Sequence, residues 1–161
     1  MKTTKKKSKK LFFSAPQKKD KWMVCIRFPT DIKMKLKIQA EKDYSGRGKQ
    51  SQLIEDAVKY YLFTLKDIKW AEFQKDLDYA ELIDDIHEGL NQGPLEGATQ
   101  VFFSPELQEK ILDVEKRVKL SNPLIRDVRT GLIRKAVSIR LSLGDKSFFD
   151  SIMENNEMIQ T

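Results

Sequence analysis

The sequence is short of the residues that catalysis and cross-linking use. Its 161 residues include one cysteine, Cys25, and one histidine, His87. A lone cysteine excludes an intrachain disulfide, and with a lone histidine it excludes a zinc site of the usual Cys/His type. His87 stands beside Asp84, Asp85 and Glu88. An imidazole in so acidic a helical stretch is ordinarily solvated, and it supports no Ser/His/Asp constellation. Gly46-x-Gly48-Lys49 lacks the full G-x-x-x-x-G-K-S/T spacing of a phosphate loop. The chain is therefore expected to be no enzyme and to carry no metal or cofactor. No apolar run approaches membrane-spanning length, and Leu11-Phe12-Phe13 is too short for a signal-peptide core. The simplest expectation is a cytoplasmic protein without membrane contact.

What is present is charge, unevenly spread. The formal net charge is +6. Nine lysines against Asp20 alone give residues 1–21 a net +8, which leaves −2 for the rest of the chain. Basicity is thus a property of the N-terminal segment, which carries no apolar period and is expected to be a disordered tail. It favours a polyanionic partner without making the folded part a nucleic-acid binder.

After the tail the pattern turns structural. Trp22, Val24, Ile26 and Phe28 alternate with Met23, Cys25 and Arg27, the period of a half-buried strand. Pro29 stops it, and Thr30 or Asp31 can cap a helix over Ile32–Lys42. That helix competes with an alternating pattern of its own, Ile32, Met34, Leu36, Ile38, but its residues favour helix intrinsically. Asp43 to Gly48 reads as a turn, and Ser51 as the cap of a second helix running to about Lys66.

Residues 66–97 hold three lysines against nine acids, with Trp70, Phe73, Leu77, Tyr79, Leu82, Ile83, Ile86 and Leu90 at roughly helical spacing. They read as a structured acidic connector. A strand at Thr99–Phe103 then leads into Ser104-Pro105-Glu106, a helix start with cap, proline and acid in order.

The second half repeats the first. Leu107, Ile111, Val114 and Val118 match Ile32, Leu36, Gln39 and Asp43 at a constant step of 75 residues. Thr130-Gly131-Leu132-Ile133-x-x-Ala136-Val137 matches Ser51-Gln52-Leu53-Ile54-x-x-Ala57-Val58 at a step of 79. Copy two therefore holds four more residues in its turn region, between Ser121 and Arg129. One strand and two short helices cannot bury their own apolar faces, so a second copy is needed to complete a core. The resulting division is a tail at 1–21, unit one at 22–65, the connector at 66–97, unit two at 98–143, and a short terminal helix with a frayed end at 144–161.

Strand, helix, turn and S-x-L-I-x-x-A, twice over, resemble the ribbon-helix-helix superfamily of DNA-binding proteins (the Arc/MetJ/CopG group). The resemblance covers roughly Trp22–Leu62 and Ala98–Leu141. It implies a mainly α fold in which two strands pair antiparallel into a ribbon. Pairing within the chain, giving a monomeric pseudo-dimer, is preferred to pairing in a homodimer. It also implies that the ribbon enters the major groove of double-stranded DNA and that each second helix points its N-terminus at a phosphate. Both are physically apt: the groove admits a two-stranded ribbon, and a helix start offers free N–H groups.

By position, the outward ribbon residues are Met23, Cys25 and Arg27, with Ala98, Gln100 and Phe102 on the second strand. Arg27 suits guanine and Gln100 adenine, with an ordinary solvated strand face as the alternative for both. The phosphate contacts carried over are Ser51 and Gln52 with Arg47 and Lys49 nearby, and Thr130 and Gly131 with Arg129 nearby. The chain departs from the family in that Met23, Cys25, Ala98 and Phe102 are not polar. A one-residue register slip would exchange Phe102 for Val101 or Phe103.

The tandem arrangement is similar to accessory proteins of conjugation, the TraY type and the overdrive-binding protein of T-DNA transfer. That likeness implies action at a plasmid transfer origin, with a relaxase as a further partner. The alternatives are a transcriptional repressor, a copy-number or partition regulator, or an antitoxin-like interaction module.

Overall fold

The structure is a computed structural model that describes residues 20–160, with side chains to residue 155. The expectations for the basic tail and for Leu11-Phe12-Phe13 lie outside the described residues. The rest is mainly helical with one two-stranded antiparallel sheet.

Strand β1 (Trp22–Ile26) is followed by helices α1 (Thr30–Asp43) and α2 (Lys49–Thr64). A 3₁₀ helix (Trp70–Lys75) and α3 (Leu77–Leu90) form the connector. Strand β2 (Thr99–Phe103) is followed by α4 (Pro105–Ser121) and α5 (Val128–Ser142), and α6 (Lys146–Gln160) closes the described chain.

β1 pairs with β2 of the same chain, with Trp22 opposite Phe103, Met23 opposite Phe102, and Cys25 opposite Gln100. Inward side chains are Val24, Ile26, Val101 and Phe103, all buried, as strand alternation requires. Phe103 is fully buried while Phe102 is 42% exposed, which fixes the register. Cys25 and Gln100 are themselves 75 residues apart, the step that relates Ile32 to Leu107. A two-fold relation between the copies would place its axis at the pair that meets its own equivalent, and the register puts that pair at mid-ribbon.

β1 ends at Ile26 rather than Phe28. Beyond it Phe28 O accepts from Glu96 N–H at 2.7 Å, and the chain bends toward the segment ahead of β2. The α1 pattern resolves as helix: Leu36 and Ala40 are buried, whereas Met34 and Ile38 face solvent. Neither Thr30 nor Asp31 caps it, because Thr30 is already helical and its hydroxyl donates to Glu96 at 2.5 Å. Nor does Ser51 cap α2. That helix begins at Lys49 behind Gly48, whose φ of 67° is left-handed. The connector is not continuous with α2, since Asp76 starts α3 afresh by accepting from Tyr79 N–H at 3.0 Å. Trp70 and Phe73 both pack edge-on to Tyr79 and so serve the fold. Ser104 caps α4 through Leu107 N–H, with Pro105 in the first turn.

Helix α5 lies at the centre, packed against α3, α2, α4 and α1. Its buried residues include Arg134 and Arg140 as well as the apolar set. Arg134 Nε donates to Arg27 O at 2.8 Å and Nη1 to Gly89 O at 3.3 Å, tying the end of β1 to the end of α3. Arg140 is fully buried, pairs with Asp43 at 3.3 Å and lies 4.6 Å from the ring of Phe149 on α6. Asp43 also accepts from Lys146 N–H at 2.9 Å, which latches the start of α6. Helix α3 crosses α5 where two glycines meet. A Cβ on Gly89 would lie 2.1 Å from Gly131 O, and one on Gly131 would lie 2.4 Å from Ile86 O.

Candidate nucleic-acid interface

The outward face of the ribbon carries Met23, Cys25, Gln100 and Phe102, all exposed. Strand periodicity puts them on one side, because their neighbours Val24, Ile26, Val101 and Phe103 are spent on the core. Cys25 Sγ lies 3.5 Å from Met23 Sδ, so the two side chains share a patch. Arg27 follows just beyond β1. Its guanidinium donates to Glu96 O at 2.8 Å and to Leu95 O at 3.2 Å. Those donors hold the end of the ribbon to the segment ahead of β2.

Helix α2 begins beside β2. Ser51 Oγ accepts from Phe102 N–H at 2.9 Å, which uses an edge amide of the ribbon to position the helix start. Gln52 braces the turn, donating from Nε2 to Ser45 O at 3.1 Å and Arg47 O at 3.0 Å. Both side chains expected at a phosphate therefore have structural partners. What remains open is backbone. The first helical bond runs from Gln52 N–H to Gly48 O, and no side chain caps the helix. The N–H groups of Lys49, Gln50 and Ser51 thus precede the ladder, as at any helix start. Lys49 is held by Glu41 at 2.6 Å, and Arg47 is exposed. A groove lined by Lys37, Ile38, Lys49, Ser51, Gln100 and Phe102 joins this start to the outward ribbon. Nearby, Lys33 donates to Thr99 Oγ1, and its pKa is lowered by burial and then by Lys37.

Helix α5 begins in the same way and ends up differently placed. Asp127 precedes it with φ 54°, and Gly48 and Asp127 are 79 residues apart, the step of the second-helix repeat. Again no side chain caps the helix. Arg129, however, pairs with Glu115 at 2.9 Å and lies 4.6 Å over the ring of Trp22. Thr130 is half-buried. Gly131 is buried under α3, so the expectation that it meets phosphate is corrected: it sits in the close crossing with Gly89, and its carbonyl faces that helix.

The repeat brings together Met23, Cys25, Gln100 and Phe102, with the α2 start alongside. It does not bring Gly131 to that surface. Lys37 and Ile38 of the groove escaped the sequence reading, because a helix face reaches the ribbon only once α1 is docked. Gly48 and Asp127 carried a legible signal in their common step. Among the described residues no group of three or more His, Cys, Asp or Glu side chains is placed to hold a metal ion, and no helix is long and apolar enough to cross a membrane. Comparison with family models, with curated proteins and with solved structures finds no match.

Proposed function

We propose that this chain is a tandem ribbon-helix-helix protein that binds double-stranded DNA sequence-specifically, without catalysis, as a monomeric pseudo-dimer. The carrying observation is the ribbon itself. Two strands from the two sequence repeats pair within one chain about Cys25 and Gln100, leaving a row of outward side chains beside an uncapped helix start. A ribbon of this kind fits the major groove, and a helix start attracts phosphate. Met23, Cys25, Gln100 and Phe102 are the base-facing residues of this reading. The N–H groups of Lys49 to Ser51 with Arg47 meet the phosphates on one side; on the other, Thr130 does so with Arg129, which must first release Glu115. Arg27 joins the reading set by exchanging its carbonyl partners for guanine.

The lysine-rich segment adds affinity that is independent of sequence, through counterion release. The process we favour is assistance to a relaxase at a plasmid transfer origin, in the cytoplasm. Repression or partition control uses the same contacts and would differ only in the DNA site. An antitoxin-like protein partner is the second reading. It is favoured by the apolar character of the ribbon face, where Met23 is 46% and Phe102 42% exposed.

The experiment is selection of duplexes from a random pool, followed by affinity measurements across salt. A recovered consensus bound far more tightly than random duplex is the expected result. Removing residues 1–21 should weaken consensus and random DNA alike and flatten the salt dependence. Recovery of no consensus, with capture of a stoichiometric protein partner, would favour the second reading.

A further inference from the structure

The two ends of the ribbon's outward face differ chemically. At one end Met23 sits opposite Phe102. Side chains directly opposite across an antiparallel pair are close enough to touch, so these two form one apolar surface. At the middle, Cys25 sits opposite Gln100. At the far end the next positions are Arg27, whose donors hold the Leu95 and Glu96 carbonyls, and Ala98, which is exposed. The start of α2 adjoins the apolar end, through the bond from Phe102 N–H to Ser51.

Resting on the DNA-binding reading, we infer that Met23 and Phe102 read thymine methyl groups at one end only of a non-palindromic site, so that the protein binds in a single orientation. The apolar group that base edges offer in the major groove is the C5-methyl of thymine. A Met–Phe side-chain pair has no donor and only a weak thioether acceptor to give to any other edge feature, and it leaves the polar groups of G·C pairs unsatisfied. Gln100 supplies the one neutral amide of the row, which suits adenine N6 and N7. It lies two strand positions from Phe102, roughly 7 Å along the strand. That corresponds to roughly two base pairs between the adenine and the methyl-read step, if the strand follows the groove. Because Arg27 and Ala98 stand where a symmetric ribbon would repeat Phe102 and Met23, the other half-site carries no matching thymine requirement.

The test uses the full chain and its selected consensus duplex. Each thymine is replaced singly by deoxyuridine, which removes a methyl group and nothing else. At one or two positions on one side of the site, affinity should fall about fourfold, the effect of losing one buried methyl-sized group. Met23→Ser and Phe102→Ser should weaken the consensus and abolish the difference between thymine and uracil there. Both side chains are exposed, so a thermal melt should find these variants folded. Specific binding indifferent to every uracil, or equal sensitivity in two mirrored half-sites, would overturn the inference and leave DNA binding standing. Failure of any duplex to bind above random sequence would overturn both.

Discussion

Helices α2 and α5 start alike and are used differently. Each begins behind a left-handed residue, Gly48 or Asp127, without a side-chain cap. Beyond that, position by position, their surroundings diverge. Gln52 in α2 braces its own turn, while its counterpart Gly131 in α5 lies under α3. Tyr61 hydrogen-bonds Asp85 of α3 at 2.8 Å, while its counterpart Arg140 is buried against Asp43 and Phe149. The connector explains the difference. It packs along α5, which turns one repeat into the centre of the fold and leaves the other beside solvent. A repeated backbone plan therefore yields one open helix start and one crowded one, and with them an asymmetric surface.

The sharpest way to break that comparison is at the buried ion pair, which α2 has no equivalent of. Asp43→Ala strands the Arg140 guanidinium in the core and removes the acceptor of Lys146 N–H. It should cost about 3–5 kcal/mol in a urea titration, the usual penalty for one orphaned member of a buried pair. A loss under about 1 kcal/mol would mean that the pair is solvated.

Next come the matched positions 52 and 131. Gly131→Ala forces a Cβ to within 2.4 Å of Ile86 O, so α3 must shift. About 1–3 kcal/mol should be lost, as in other overpacked sites. Gln52→Ala removes two turn hydrogen bonds at a half-buried site and should cost about 1 kcal/mol. Equal losses at the two positions would erase the distinction between a crowded and an open start.

The two left-handed residues give a smaller and opposite effect. Asp127 is the only non-glycine residue with positive φ among the described residues. Asp127→Gly should stabilise the fold by about 0.5–1 kcal/mol, because glycine adopts this conformation without the Cβ penalty. It also removes a carboxylate from a helix start, so DNA affinity should rise at low salt. Gly48→Ala should do the reverse to stability. If both substitutions leave the melting temperature unchanged, the left-handed starts are not constraining the fold.

The smallest effect is at alkaline pH. Burial, then the hydrogen bond to Asp85, holds the Tyr61 phenol above its ordinary range. A folded pKa above the unfolded value means the contribution is intact below about pH 10 and declines as pH rises further. Only the unfolded chain then releases the proton. Tyr61→Phe should flatten the fall in stability above about pH 10. An unchanged slope would place the alkaline sensitivity elsewhere, Tyr44 being the next candidate, since burial and Asp56 raise its pKa too.

Much of the architecture was legible from residue spacing. Alternation at Trp22–Ile26 gave the inward face of β1, and Ser104-Pro105 gave the start of α4. The step of 75 residues also separates Cys25 from Gln100, the pair that meets at the centre of the ribbon, but that register became visible only with the strands paired. What escaped was information held between elements. Gly89 and Gly131 are ordinary weak helix formers until their helices cross. Arg134 and Arg140 have the look of surface residues, and only the packing of α3, α1 and α6 around α5 buries them. Ser51 carries the signature of a cap, yet Gly48 lets the helix start three residues earlier and frees the serine to hold β2. At the candidate interface, residue types pointed to the ribbon, but the engagement of Arg27 and the covering of Gly131 arise only from the packing of the segments ahead of β2 and of α3.

The most direct test of the central claim is the stoichiometry and symmetry of one complex. The full chain would be mixed with its selected duplex and weighed by analytical ultracentrifugation, with the contacted bases mapped by a substitution scan. One chain per duplex, with sensitive bases grouped in two unequal halves, is the predicted result. Two chains on a palindrome with equal halves would contradict it, because the reading surface would then be built between chains and not within one.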